Sequence, residues 1–174
     1  MSAAKGTAAE PGRRRLVLMR HGKSGYPPGV GDHDRPLADR GRREAALAGR
    51  WMADEGIAVD AVLCSTSTRT RETLARTGID APTTYVDEIY GGSPDDVLEA
   101  IRLHAPADAD TLLVVGHEPG MPTTALTLDP DGTIDRFPTS AYAVLEIGAP
   151  WADAGLAPDP AARLVGVRVP RAES

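Results

Sequence analysis

Two histidines in this sequence each follow an apolar run and lie directly beside a glycine. His21 stands in the tripeptide RHG after the run LVLM, and His117 stands in GHE after TLLVV. An imidazole at such a place can act as a nucleophile or as a proton donor, and glycine lets a backbone or a ligand approach closely. Arg20 precedes the first histidine, and Arg69 follows a third apolar run, AVLC. We interpret these four residues as a candidate site for an anionic ligand.

The segment LVLMRHGKSG also ends in Gly-Lys-Ser-Gly, and Gly-Lys-Ser closes the nucleotide-binding P-loop. A P-loop needs another glycine five positions before the glycine of that triplet, so that backbone N–H groups can surround the phosphates. That position is Val17, inside the apolar run. Because a strand interior cannot also be a glycine loop, the sequence does not predict a nucleotide triphosphate site here.

The composition indicates one globular domain of ordinary size. The chain has 174 residues, of which 41% are hydrophobic and 25% are charged, and this balance is typical of globular proteins. A net charge of −6 argues against nucleic-acid binding, and no apolar run approaches the roughly 18 residues of a membrane span. Cys64 is the only cysteine, so the sequence predicts neither a disulfide framework nor a cysteine metal cluster. We expect a cytoplasmic protein with a disordered segment at 1–12 and a single domain at 13–174.

Apolar runs alternate with helical patterns along the chain. The predicted strands are 16–19, 61–64, 83–86, 111–115, 141–147 and 164–169, and the predicted helices are 40–55, 67–77 and one that begins after Ser93. This alternation predicts an α/β fold, a single three-layer domain with a mainly parallel central sheet and helices on both faces. Ligands bind such sheets at the carboxyl ends of the strands, where the histidines and arginines above should converge.

Other polar residues near these motifs have ordinary structural explanations. We interpret His33 and His104 as hydrogen-bonded surface or core residues, and Lys23 and Ser24 as lining a turn. The segment GYPPGVGDHDRP at 25–36 is the only loop long enough to border the site, and its glycines suggest mobility. No other insertion could form a lid, so we expect a shallow and open pocket.

Three motifs together resemble those of the histidine phosphatase (phosphoglycerate mutase-like) superfamily. They are RHG at 20–22, Ser-x-x-x-Arg-x-x-Glu-Thr at 65–73, and VGH at 115–117, each after an apolar strand. Within the superfamily, RHGKS, DRPLADRG and VGHEPG are most similar to the SixA-type phosphohistidine phosphatases. The resemblance implies a phosphatase without cofactor or metal, whose partner is a phosphorylated substrate such as a protein that bears phosphohistidine.

The resemblance also implies the part that each motif residue takes. Neutral His21 would attack phosphorus, and water would then hydrolyse the phosphohistidine intermediate. Arg20, Gly22, Arg69 and protonated His117 would bind the phosphoryl group, the arginines through the planar fork of the guanidinium. Cationic donors would thereby take the place of a metal ion.

Two residues are candidates for the acid that protonates the leaving group. Glu88 follows the third strand, where the mutase branch carries an acid, and Glu118 follows His117, where the acid phosphatase branch carries one. SixA-type enzymes usually carry Asn at the second of these positions, so Glu118 departs from their pattern. Both residues also fit a structural reading, Glu88 on a solvated loop and Glu118 at a helix N-terminus.

Three alternatives stay open at this point. A metal hydrolase is disfavoured, because its ligands match no known spacing and the arginines would repel a cation; those ligands would be His21, Asp32, His33, Asp34 and His117. A catalytically silent phosphate-binding regulatory module is compatible with the fold. A small-molecule phosphatase or a mutase is compatible with the motifs. The sequence specifies neither the substrate nor the oligomeric state, although a monomer is compatible with it.

Overall fold

The structure, a computed structural model, describes residues 13–171, and the predicted disordered segment 1–12 lies outside that range. The strands are β1 (Arg14–Arg20), β2 (Ala61–Ser65), β3 (Thr83–Val86), β4 (Thr111–Gly116), β5 (Tyr142–Ile147) and β6 (Arg163–Arg168). The helices are α1 (Asp39–Asp54), α2 (Thr68–Thr77), α3 (Pro94–His104) and α4 (Gly120–Leu128).

One six-stranded sheet has the strand order β3-β2-β4-β1-β5-β6. The strands β1 to β4 pair in parallel, whereas β5 runs antiparallel to β1, and β6 antiparallel to β5. The predicted α/β fold with a mainly parallel sheet in a single three-layer domain is confirmed. Within residues 13–171 there is no helix of the length and apolar character that a membrane crossing requires.

The alternation of side chains along β1 separates two hydrophobic cores. Leu16 and Leu18 belong to the core that α3 and α4 cover, together with residues such as Ile101. Val17 and Met19 belong to the core on the opposite face, which α1 and α2 cover. Because successive strand residues point to opposite faces, a continuous apolar run marks a strand that is buried on both sides.

Helix starts follow the capping residues in the sequence. Ser93 caps α3 in a reciprocal capping box with Asp96, as its sequence pattern predicts. Ser67 caps α2 by accepting a hydrogen bond from the backbone N–H of Thr70. The sequence prediction did not include α4, whose Pro122 stands in the first helical turn, where proline is tolerated.

The two ends of the loop between β1 and α1 are held together at several points, and the mobility of its tip stays a prediction. The backbone N–H of Gly25 donates to the carbonyl of Pro36 at 2.8 Å, and that of Ala38 donates to the carbonyl of Lys23 at 2.8 Å. Arg35 Nη1 also donates to Ser24 Oγ at 2.5 Å. These bonds tie the two ends of the loop together beneath its tip.

Candidate active site

The carboxyl ends of β1, β4 and β2 lie side by side at one edge of the sheet. Arg20 is in register with Gly116, so the histidine after each strand begins at the same level. The rings of His21 and His117 have their centroids 5.3 Å apart. The Nε–H of Arg69 points to Nε2 of His21 at 3.4 Å. The structure therefore brings together the two histidines and one arginine of the predicted site.

The ring of His21 is held in one tautomer. Its Nδ1 lies 2.7 Å from the backbone carbonyl oxygen of Gly22. A carbonyl oxygen can only accept, so Nδ1 carries the hydrogen and Nε2 keeps its lone pair when the ring is neutral. The backbone is fixed as well, because His21 N–H donates to Gly116 at 3.0 Å and Ser140 N–H donates to the His21 carbonyl at 3.0 Å.

The environment of His21 disfavours the protonated ring. Only 7% of the residue is exposed. Burial lowers its pKa to about 3, and the charges of His117, Arg69 and Arg20 act in the same direction, while the bond to the Gly22 carbonyl opposes them. At neutral pH, His21 is therefore a neutral imidazole whose Nε2 is unprotonated, the form that a nucleophile requires.

Arg69 is fixed by the loop that follows β1. Its Nη1 donates to the backbone carbonyl of Asp32 at 2.7 Å, and its Nη2 donates to the Asp32 carboxylate at 3.1 Å. The side chain stands in the first turn of α2 and is only 6% exposed as a residue. Two bonds to one residue fix the plane of the guanidinium while its Nε faces the candidate nucleophile.

His117 is positioned by the end of β2. Its Nε2 lies 2.8 Å from the hydroxyl oxygen of Ser65. Burial and the charge of Arg69 together lower the pKa of His117 to about 4, while the charge of Asp32 opposes them. In the absence of an anion, the ring is therefore neutral at physiological pH.

Arg20 is the last residue of β1, and one of its donors is bonded to a backbone carbonyl. Its Nη1 donates to the carbonyl of Phe137 at 3.0 Å. Its Nε is buried and has no hydrogen-bond partner within the described range. Burial lowers the pKa of Arg20, and the charge of Glu118 opposes that effect. Arg20 thus contributes positive charge that acts on both histidines.

The structure uses Gly22 for close packing. Its N–H, which a phosphate oxygen could otherwise accept, donates to Thr73 Oγ1 at 2.8 Å. A Cβ at this position would lie 2.9 Å from the Gly41 carbonyl oxygen and 3.2 Å from Ser140 Oγ. Gly22 therefore lets α1 and the segment before β5 pack closely against the His21 backbone. That Gly22 binds phosphate stays a prediction, and a contact through its N–H would require a rearrangement.

The two candidate acids both lie on the surface. Glu88 stands in a short 3-10 turn after β3, and Glu118 directly follows His117. Within the described part of the chain, neither carboxylate forms a hydrogen bond with the residues above. Glu118 directly follows His117 in the chain, and its charge acts on Arg20.

Sequence reasoning did not assign three residues to the phosphate site, although it named Asp32 and His33 as ligands of the disfavoured metal hydrolase. Asp32 accepts hydrogen bonds from Arg69, from Arg35 at 3.1 Å and from the hydroxyl of Tyr90. These donors hold the pKa of the Asp32 carboxyl well below its usual range. The Tyr90 ring stands edge-on to His117, with centroids 5.3 Å apart. His33, interpreted above as an ordinary structural residue, lies beside Tyr90 with ring centroids 4.8 Å apart.

The arrangement does not resemble a metal centre. In the described range, no three or more His, Cys, Asp or Glu side chains are grouped so that they could hold a metal ion. Arg69 lies between Asp32 and His21 and would repel a cation there. A buried neutral imidazole surrounded by guanidinium groups is instead suited to an anionic electrophile such as a phosphoryl group.

Comparison with known proteins places this geometry in a family. The model of the histidine phosphatase superfamily (branch 1) matches residues 16–89. An uncharacterized protein of Mycobacterium tuberculosis is 51% identical over 162 residues, which cover 88% of this chain and 100% of that protein. The chain belongs to the histidine phosphatase superfamily.

Two solved structures are similar over nearly the whole chain. One, from Nakamurella multipartitia, is named as a candidate phosphohistidine phosphatase SixA. It shares 42% identity with a TM-score of 0.84, over 95% of this chain and 99% of that chain. The other, named in the same way, is from Agrobacterium tumefaciens. It shares 29% identity with a TM-score of 0.71, over 90% of this chain and 98% of that chain.

Proposed function

We propose that this protein is a SixA-type phosphohistidine phosphatase that works without metal through a covalent phosphohistidine on His21. The observation that carries the proposal is the state of the His21 ring. Its Nδ1 is committed to the Gly22 carbonyl, and its Nε2 is unprotonated and lies 3.4 Å from the Nε–H of Arg69. A nucleophile and a hydrogen-bond donor suited to an anion thus lie directly next to each other.

The first half-reaction transfers the phosphoryl group to the enzyme. Nε2 of His21 attacks phosphorus, the bond to the leaving atom breaks in line with it, and that atom takes a proton. In the second half-reaction, water attacks the phosphohistidine, and the electron pair of the P–N bond returns to Nε2. The carbonyl of Gly22 supports both steps because it keeps the ring oriented while charge develops on it.

Three side chains supply positive charge to the equatorial oxygens of the transferring group. Arg69 offers Nε and the hydrogens of its terminal nitrogens that Asp32 does not occupy. Arg20 adds positive charge that acts on both histidines. Bound phosphate would raise the pKa of His117, whose second ring nitrogen could then donate to an oxygen while Ser65 holds the first. With these cationic groups, the site would stabilise the phosphoryl group without a metal ion.

The surroundings favour a substrate that is presented on a surface. Residues 87–93 between β3 and α3 and residues 117–119 between β4 and α4 are too short to form a covering domain. A site of this kind binds phosphate strongly and its carrier weakly, which suits a phosphohistidine on another protein. The two SixA-named structures support the same choice. We further propose a cytoplasmic, monomeric protein that binds neither nucleic acid nor membrane.

A turnover screen tests this function. The purified chain is assayed with a phosphohistidine protein, phosphoramidate, p-nitrophenyl phosphate, sugar phosphates and nucleotides, each with and without EDTA. We expect faster turnover of the P–N substrates than of the sugar phosphates, and unchanged rates in EDTA. A strong preference for one small metabolite would instead identify a small-molecule phosphatase. Phosphoryl transfer between positions of one metabolite would identify a mutase. No turnover of any substrate would identify a silent phosphate-binding module.

A further inference from the structure

A second catalytic group stands at the mouth of the site. We infer that His33 is the general acid that protonates the leaving group and the general base that activates water in the second half-reaction. This inference rests on the proposed function and assigns the proton transfer that Glu88 and Glu118 were predicted to perform.

The end of β2 holds His33 and His117 through adjacent residues. Nε2 of His33 lies 3.0 Å from the hydroxyl oxygen of Thr66, and Nε2 of His117 lies 2.8 Å from the hydroxyl oxygen of Ser65. Consecutive residues of one strand end therefore position both imidazoles. His33 and His117 are also close enough for the charge of one to affect the other.

Tyr90 lies between the two imidazoles. Its ring contacts that of His33 edge-on, with centroids 4.8 Å apart, and that of His117 in the same manner at 5.3 Å. Its hydroxyl group donates to Asp32, the residue directly before His33. Asp32, which fixes Arg69, thus also holds the Tyr90 ring beside His33, and His33 itself lies in the 3-10 turn Asp32–Asp34.

The direction of the reaction places the leaving group on the side of His33. His21 forms the floor of the site, with 7% of the residue exposed. In-line attack from the floor sends the leaving atom toward the mouth. His33 is at that mouth, where 45% of its side chain is exposed. A general acid needs to come within hydrogen-bond reach of the leaving atom only once substrate is bound.

The proton transfers balance over the two half-reactions. In the first, the bond from His21 Nε2 to phosphorus forms and the bond to the leaving atom breaks. That atom takes the Nε2 proton of the His33 imidazolium, which exchanges its Thr66 hydroxyl partner for the leaving atom when substrate binds. In the second, neutral His33 takes a proton from water as the water oxygen bonds to phosphorus, and the P–N electron pair returns to His21. His33 ends in its starting form, and phosphate and the protonated leaving group are released.

Other titratable groups at the mouth fit this assignment less well. The Asp32 carboxyl accepts hydrogen bonds from Arg69, Tyr90 and Arg35, so it stays ionised and has no proton to give. Two other charged side chains lie next to His33 or next to the residue that holds it, Thr66. Asp34 Oδ1 lies 3.7 Å from its Nδ1 and pairs with the imidazolium, and Arg71 donates to the Thr66 carbonyl at 2.9 Å.

The test compares substrates that differ in how much they need an acid. The leaving group of p-nitrophenyl phosphate departs almost without protonation, whereas that of phenyl phosphate needs it. For His33→Asn we expect kcat/KM for phenyl phosphate to fall about 100-fold or more, in the range of general acid catalysis. For p-nitrophenyl phosphate we expect a fall of less than about five-fold, because kcat/KM reports the first phosphoryl transfer. A purely structural effect would lower both values equally.

Three further variants and one replacement complete the test. His104→Asn, at the exposed end of α3, is the matched control and should leave both substrates unchanged. Glu88→Gln and Glu118→Gln are measured in parallel, and His33→Gln replaces His33→Asn if the latter unfolds. An equal loss for both substrates, no loss in the His33 variants, or a selective loss in a Glu variant overturns the inference while the proposed function stands. A wild-type chain without turnover overturns both.

Discussion

At the residue scale, the site depends on how Arg69 is held. The Asp32 backbone and carboxylate take one hydrogen from each terminal nitrogen of the guanidinium, and Nε remains directed at Nε2 of His21. A lysine at this position could supply the charge but not three donors in one plane. Both the charge and the planar geometry of the guanidinium would therefore stabilise the transition state.

The Arg69→Lys variant separates charge from geometry. We expect kcat/KM for p-nitrophenyl phosphate to fall by an amount that corresponds to about 2–4 kcal/mol, the usual loss for one preorganised donor. Arg76→Lys, in the last turn of the same helix α2, is the matched control and should be near normal. Steady-state kinetics of both variants decide the matter, and near-normal activity in Arg69→Lys would place Arg69 outside the reaction.

The sequence identifies only those site residues that directly follow regular elements. His21, His117 and Arg69 stand at strand ends or in the first helical turn, where periodicity and fold class predict their position. Asp32 lies in a three-residue 3-10 turn and Tyr90 directly follows another, and the two residues meet only through the tertiary fold. No local pattern could pair them, because their contact depends on the path of two loops.

At the element scale, the start of α1 supports the nucleophile. Gly22 and Gly41 face each other, and a Cβ on Gly41 would overlap the Lys23 carbonyl oxygen and lie 2.8 Å from the Lys23 nitrogen. These are backbone atoms that cannot move aside as a side chain can. The first turn of α1 therefore packs directly against the segment that carries His21.

The Gly41→Ala variant tests this contact. We expect a loss of unfolding free energy of about 1–3 kcal/mol, as for other overpacked sites, together with reduced turnover because the His21 segment must shift. Arg43→Ala, two residues further along the same helix and exposed, controls for the general effect of alanine in α1. Chemical denaturation and steady-state kinetics are measured on both. If Gly41→Ala matched the control in both measurements, the packing argument would fail.

The elements differ in how far the sequence predicts them. All six strands were predicted within two residues at each end, because their apolar runs are short and bounded by turn residues. The capping box of α3 is encoded locally and was predicted as well. The helix α4 was not predicted, because the glycine and proline in its first turn are typical of loops. The antiparallel direction of β5 and β6 depends on connections that carry no periodic signal.

At the scale of the whole molecule, the site makes stability depend on pH. The folded-state pKa values of His21 and His117 are about 3 and about 4, against an ordinary value of 6.5. Between pH 6.5 and about 4, the unfolded chain therefore binds protons that the folded chain does not. Their contribution to stability is complete above pH 6.5 and is lost as the pH falls through this range.

We therefore expect the unfolding free energy to decrease from pH 7 to pH 4, and His117→Asn to reduce this slope. His104→Asn, at an exposed position, should keep the slope of the wild type. Sulfate should oppose the loss at low pH, because a bound dianion favours protonated His117. Denaturation curves at a series of pH values measure all three effects. An unchanged slope in His117→Asn would show that its ring does not titrate as the structure implies.

The most direct test of the covalent mechanism is to trap the phosphorylated enzyme. Wild-type protein and His21→Ala are mixed briefly with radiolabelled substrate, quenched, and treated with acid or alkali before the label is located by mass spectrometry. We predict an acid-labile, alkali-stable phosphate on His21 in the wild type, and neither label nor turnover in a folded His21→Ala variant. Turnover that persists in His21→Ala, or a label on another residue, would contradict the mechanism.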